Sequence, residues 1–140
     1  MIKIEKLNNK DLKAAQDFYL SQAYSAKISE SDFTLTANED QKIVGIVRIS
    51  HEEGEEILRG MFVEKTHQRK GIGTKMLKEL EKHFEKKDVY CIPYNHLEKL
   101  YGIVGFERIE EREAPDFLQA RLKAYNEKEL NCIIMRRSKI

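Results

Sequence analysis

Ile2 and Ile4 alternate with Lys3 and Glu5, the period-two mark of a short strand. Asn8 and Asn9 precede Leu12, Ala15, Phe18 and Tyr19 at helical spacing, which predicts an amphipathic helix. Residues 22–31 hold no clear period and read as a loop or a second short helix. Phe33, Leu35 and Ala37 alternate again, and the polar run Asn38-Glu39-Asp40-Gln41 predicts a hairpin into the next strand. From Ile43 to Ile49 nearly every position is apolar, as in a strand covered on both faces. The turn Glu52-Glu53-Gly54-Glu55 leads into a strand over 57–63 with Gly60 inside it, where glycine marks a bulge or a close approach.

The second half switches periods. A polar turn over 64–70 opens a helix from Ile72 to about Lys86, with Ile72, Met76, Leu77, Leu80 and Phe84 on one face. Val89 to Ile92 reads as a strand, and Leu97, Leu100, Tyr101 and Val104 as a short helical stripe. Phe106 to Ile109 reads as a strand, and Pro115 suits the first turn of a helix bearing Phe117, Leu118, Leu122 and Tyr125. Asn131 to Met135 closes the pattern as a strand. The early strands meet through tight turns and should pair antiparallel. Those at 57 and 89 are joined through a helix and should pair parallel. The expectation is an α/β (α+β) domain: about seven strands in a mixed sheet and four or five helices.

Composition narrows the function classes. A chain of 140 residues favours one domain, 1–140, and 41% hydrophobic residues suffice for one core. A formal net charge of +1 gives no broad basic field, so no nucleic-acid partner is expected. No apolar run approaches the ~20 residues of a membrane span, and the alternating N-terminus is not that of a signal peptide. Cys91 and Cys132 lack CxxC spacing and read as reduced core thiols, so no metal is expected and a cytoplasmic location is.

The informative segment is Gln68-Arg69-Lys70-Gly71-Ile72-Gly73-Thr74, which follows a buried strand and opens a helix. Helix-start amides lack internal partners, the helix dipole adds partial positive charge, and glycines let a phosphate approach the backbone. Physics alone predicts a phosphate or pyrophosphate seat, or else a plain connecting turn. A dinucleotide fingerprint would need a third glycine where Met76 stands, and the P-loop order is absent.

This segment resembles the GNAT superfamily of N-acetyltransferases, whose cofactor motif reads Q/R-x-x-G-x-G/A and is filled by Gln68, Gly71 and Gly73. The run Ile57 to Val63 resembles the family's bulged central strand, although Lys65 stands where a proline is frequent. Leu100-Tyr101-Gly102-Ile103-Val104-Gly105-Phe106 is similar to the family's F-Y-x-x-x-G-F. The resemblance covers residues 1–137. It implies a mixed, mostly antiparallel sheet with a splayed parallel pair that admits acetyl-CoA. Main-chain amides of Arg69, Lys70, Gly71, Ile72, Gly73 and Thr74 would hold the pyrophosphate, with Gln68 as a motif contact. Main-chain groups of Met61, Phe62 and Val63 would pair with the pantetheine arm, and Tyr101 would face the thioester sulfur. The asparagine frequent in the family, seven residues before that tyrosine, is replaced by Tyr94. Asn95 and His96 are therefore the neighbouring candidate contacts.

The implied activity is direct transfer of an acetyl group from acetyl-CoA, without a metal, to a primary amine on a small molecule or peptide. A non-catalytic CoA-binding module is the alternative, and a regulatory protein using the turn for another phosphate is a further one. A monomer or homodimer is expected. A primary amine with pKa ~10.4 must lose a proton before it attacks, which costs about 4.6 kcal/mol at neutral pH. His51, Glu55 and Glu56 are candidate bases, and the acidic turn at 52–56 is a candidate attractor of cationic substrates. Tyr101, with an ordinary pKa near ~10, keeps a proton to offer the departing sulfur, whose thiol pKa is ~8.5. Cys91 offers a covalent route only if a His–Asp pair activates it.

Overall fold

A computed structural model describes residues 1–84 and 86–139. Its strands are β1 (Lys3–Lys6), β2 (Phe33–Glu39), β3 (Lys42–Glu52), β4 (Glu55–Val63), β5 (Val89–Cys91), β6 (Glu107–Arg108) and β7 (Met135–Arg137). The helices are α1 (Leu12–Ser21), α2 (Ile72–Glu81), α3 (Glu98–Gly102) and α4 (Asp116–Glu127), with short 3-10 turns between elements. All seven strands lie in one sheet, ordered β1-β2-β3-β4-β5-β7-β6. Every pairing is antiparallel except β4 with β5, which are joined through α2. The mixed sheet matches the pattern read from the residues, and its mostly antiparallel pairing matches what the resemblance implies.

Burial follows from periodicity. β3 is buried from Val44 to Ser50 and forms the middle of the sheet. Below the sheet, the α2 stripe of Ile72, Met76, Leu77 and Leu80 packs on Leu35, Val47, Ile49 and Leu58, with Tyr101 and Phe106 in the same cluster. On the other face, Leu118 and Leu122 of α4 pack on Ile57, Tyr90 and Ile134. Ala15, Phe18 and Tyr19 of α1 pack on Ile46.

Four boundaries differ from expectation. Residues 22–31 form no helix; Gln16 of α1 anchors them instead, donating to the Ala26 carbonyl at 2.8 Å and accepting from the Ile28 amide at 3.0 Å. α2 stops at Glu81 rather than near Lys86, and the chain turns there toward β5. Glu85, within the expected helix, lies outside the described residues. Phe84 reaches the core from the turn, its ring 6.0 Å from that of Phe106. The last strand is Met135–Arg137 rather than 131–135; Cys132 makes only an isolated bridge to Tyr94. β6 is only Glu107–Arg108, shorter than the expected 106–109.

Candidate active site

The site begins where two parallel strands part. β4 and β5 pair at Glu56/Val89, Ile57/Tyr90 and Leu58/Cys91, and go no further. Beyond Leu58, β4 follows β3. The chain after β5 follows the 131–134 segment: the Ile133 amide donates to the Pro93 carbonyl at 3.0 Å and the Asn95 amide to the Asn131 carbonyl at 2.7 Å. Pro93, at the divergence, has no N–H to give to β4. Between the strands lies a cleft of about 280 Å³, lined by Gly60, Met61, Phe62, Ile92, Tyr94 and Tyr101 among others.

A bulge in β4 drives the parting. Ile46 pairs with Phe62, and Arg48 with Arg59, so β4 spends one more residue than β3 over the same step. Gly60 supplies the conformation, with φ of +63°, and lies against Tyr19. The Tyr19 hydroxyl donates to the Gly60 carbonyl at 2.9 Å, and burial pushes that phenol's pKa up, so it stays a donor. The support continues inward. Arg48 pairs with Asp32 at 2.9 Å, both side chains being almost wholly buried, and its guanidinium lies 5.9 Å from the Tyr19 ring centre. Tyr24 packs its ring 4.9 Å from that of Phe62 and lines the cleft. Sequence reasoning missed this scaffold. Asp32 and Arg48 are 16 residues apart, and only a charge inside an apolar strand hinted at a buried pair.

The glycine turn stands at the end of β4. The Gln68 side-chain amide donates to the Val63 carbonyl at 3.0 Å, so Gln68 braces the strand-to-helix crossing. His67 accompanies it, with Nε2 at 2.9 Å from Glu39 and Nδ1 at 3.0 Å from the Thr66 hydroxyl. Arg69 and Gly71 take left-handed φ values of +64° and +78°, turning the chain so that α2 starts with its amides facing outward. Gly71 caps α2 with no side-chain bond, and the first helix-making amide is that of Lys75, bonded to the Gly71 carbonyl. A Cβ on Gly71 would meet nothing within 4 Å, and one on Gly73 would reach only Met61 Cε at 4.0 Å. Packing within the protein therefore does not require glycine at 73. Arg69 and Lys70 are exposed beside the start of α2, where helix-start amides and the helix dipole favour an anion.

Tyr101 lies at the inner end of the cleft on α3, 5% exposed, its ring edge-on to Phe106 at 6.1 Å. Gly105, with φ of +91°, turns the chain so that the Phe106 amide bonds back to the Tyr101 carbonyl at 3.3 Å. Burial pushes the Tyr101 phenol up, with the neighbouring Cys91 adding to the shift. Burial likewise holds the Cys91 thiol protonated, well above its ordinary range. Asn95 and His96 fall outside this cleft. Both are exposed and border a neighbouring groove with Phe106 and Arg108, and His96 stacks on Tyr94. His51 and Glu56 also lie elsewhere: they border a groove with Asp32 and His83, their side chains 3.8 Å apart. Glu55 is half-buried and does not line the cleft.

The far end of the cleft carries charge that sequence reasoning did not place. Arg59 of β4 and Arg121 and Tyr125 of α4 line it. Both guanidiniums hold Glu52: Arg121 at 2.6 and 3.3 Å, Arg59 at 3.2 Å. Partial burial raises the Glu52 pKa, but the hydrogen bonds of Arg121 and Ser50 and the two positive charges outweigh it, bringing the carboxyl down to about 2. The acidic turn expected to attract cations thus turns its Glu52 inward, onto arginines.

A parallel pair parts beside a cleft, a glycine turn opens α2 after the bulged strand, and a buried phenol lines the parting. The chain matches the acetyltransferase (GNAT) domain over residues 4–120 and so belongs to that family of acyltransferases. Solved structures agree on the fold. Escherichia coli ElaA superposes with a TM-score of 0.73 at 17% identity, covering 99% of this chain and 100% of its own. A GNAT-family acetyltransferase from Staphylococcus aureus gives 0.68 at 18%, with 98% of each chain covered. The PaiA N-acetyltransferase of Thermoplasma acidophilum, in complex with coenzyme A, gives 0.62 at 16%, covering 100% of this chain and 99% of its own. A search of curated protein sequences finds no match.

Proposed function

We propose that this chain transfers the acetyl group of acetyl-CoA to a primary amine by direct attack. The observation that supports the reading is that the parted strands and Tyr101 share one cleft, with the glycine turn following β4 in the chain. The coenzyme A held by the Thermoplasma relative supports the choice of co-substrate. Amides of residues 69–74 take the diphosphate, and the cleft-side backbone of Met61, Phe62 and Val63 takes the extended arm. Acetyl-CoA supplies an activated thioester carbonyl. Tyr101 keeps its proton and donates to the sulfur as it leaves, which offsets the charge of a thiolate in a desolvated site. Asn95 and His96, at the rim, contact the cofactor or the acceptor only from outside the cleft.

Among the described residues, the cleft lining contains no carboxylate and no imidazole. The amine therefore attacks after giving its proton to solvent, and an apolar site helps by disfavouring the ammonium form. A protonated, buried Cys91 is a poor nucleophile, which favours direct attack over an acetyl-cysteine intermediate. The two buried, unpaired cysteines support a reducing, cytoplasmic setting, and among the described residues no helix is long and apolar enough to cross a membrane. Among the described residues no group of three or more His, Cys, Asp or Glu is placed to hold a metal. The test is thiol release from acetyl-CoA with a panel of amines. Amine-dependent release with formation of the acetylated amine is expected. Tight CoA binding with no release on any amine would leave a binding module instead.

A further inference from the structure

Building on the acyl-transfer reading, we propose that the acceptor amine carries a carboxylate, which Arg59 and Arg121 hold at the far end of the cleft. Arg59 directly precedes the Gly60 bulge, on the opposite side from Met61 to Val63. Three residue steps lead from Arg59 to Phe62, a span of roughly 10 Å. An anion at Arg59 is thus well removed from the diphosphate seat, at a distance suiting a small amino acid whose amine reaches the strand parting. Arg121 enters from α4, its guanidinium 5.6 Å from the Phe117 ring centre. Together with Tyr125, the two arginines form one polar wall in a cleft otherwise lined by apolar and aromatic groups.

The charge balance favours an anion. Two guanidiniums share one carboxylate, Glu52, which lies behind them and not in the cleft lining. Each guanidinium has five N–H donors. Among the described residues they make three hydrogen bonds to Glu52 and one, at 3.4 Å, to the Tyr125 hydroxyl. Both side chains remain about a fifth to a quarter exposed, 24% for Arg59 and 21% for Arg121. One net positive charge and several donors thus face the cleft, with no acidic residue among the described residues of its lining. A polyamine would meet repulsion there, and a neutral amide would leave the charge uncompensated. In the step itself an N–C bond forms as the C–S bond breaks. The amine proton is lost, the sulfur gains one, and the products are an N-acetylated amino acid and the free thiol.

The test measures thiol release at saturating acetyl-CoA with matched pairs differing only in the carboxylate. Suitable pairs are glycine and glycinamide, β-alanine and its amide, methionine and its amide, and glycylglycine and its amide, with spermidine as the cationic comparison. CoA binding is followed separately by calorimetry. The expected result is at least one pair whose carboxylate member has a kcat/KM about tenfold to hundredfold above the amide, the scale of a charge-assisted pair. Arg121→Gln and Arg59→Gln should each collapse that ratio, mainly through KM, while Arg59→Lys keeps part of it; melting curves check that each variant is folded. The proposal is overturned if amides or spermidine match or exceed every carboxylate, or if the ratio survives both glutamine substitutions. It fails alone if an amide or spermidine is acetylated and no carboxylate reacts, whereas CoA binding with no turnover on any amine overturns the acyl-transfer reading as well. A wild-type chain that binds no CoA overturns the acyl-transfer reading and this inference with it.

Discussion

Replacing Gly60 with alanine tests the bulge on which the cleft depends. A left-handed φ of +63° costs a β-carbon-bearing residue roughly 1 kcal/mol. The added methyl group would overlap the Tyr19 hydroxyl, so the phenol must move and give up its 2.9 Å bond to the Gly60 carbonyl. That loss adds about 1 kcal/mol, and the Tyr19 ring is wedged between Tyr24 and Phe62 at 4.8 and 6.0 Å, which limits relaxation. The expected penalty is about 2–3 kcal/mol, on the order of 10 °C in Tm for a chain of this size. Urea denaturation followed by circular dichroism measures it. The same substitution in a Tyr19→Phe background should cost only about 1–1.5 kcal/mol, because the overlapping oxygen is gone and the next atom, a ring carbon, stands at 3.0 Å. A coupling near 1 kcal/mol between the two positions is therefore expected. An equal penalty in both backgrounds, or a Gly60→Ala protein within about 0.5 kcal/mol of wild type, would refute the reasoning.

Tyr101→Phe should lower kcat at least tenfold with CoA affinity little changed, because the hydroxyl acts on the departing sulfur; unchanged turnover would remove it from the reaction. Since burial raises the Tyr101 pKa, wild-type rate profiles should show no loss attributable to this phenol up to about pH 10. Glu52 has a folded pKa of about 2, below its ordinary value of 4.5, so its stabilising contribution is complete above pH 4.5 and disappears as pH falls through 2. Glu52→Gln should cost on the order of 1 kcal/mol at pH 7, a figure discounted for solvent screening, and the difference should vanish toward pH 2 in acid-unfolding curves.

Local patterns revealed most of the fold because each element's period matched its packing. The nearly continuous apolar run 43–49 became the buried middle of β3, and the α2 stripe packed where its spacing placed it. Gly60 and the Gly71–Gly73 turn were legible because each glycine answers a local need, a left-handed φ or a clear approach to the backbone. What stayed hidden depends on partners far apart in the chain. Arg121 meets Glu52 across 69 residues, so an acidic turn that looks solvent-facing is in fact the clamp of an arginine wall. The segment after Cys132 looks like a strand from Asn131. Its regular ladder to β5 starts only at Met135; before that it meets the chain after β5 in single bonds, Cys132 bridging Tyr94 and the Ile133 amide reaching the carbonyl of Pro93, which has no N–H to return. Residues 22–31 have no period because Gln16, Asp32 and the buried Ile28 hold them in place of repeating backbone bonds.

Titration calorimetry of CoA into the wild-type chain and Gly73→Val tests the placement of the diphosphate most directly. Valine at 73 meets no protein atom nearer than Met61 Cε at 4.0 Å for its Cβ, so the fold should tolerate it while the branched side chain fills the space above the α2 amides. The account predicts saturable binding of one CoA per chain by the wild type and at least tenfold weaker binding by the variant, with melting temperatures nearly equal. No binding by the wild type, or equal affinity in the two proteins, would contradict it.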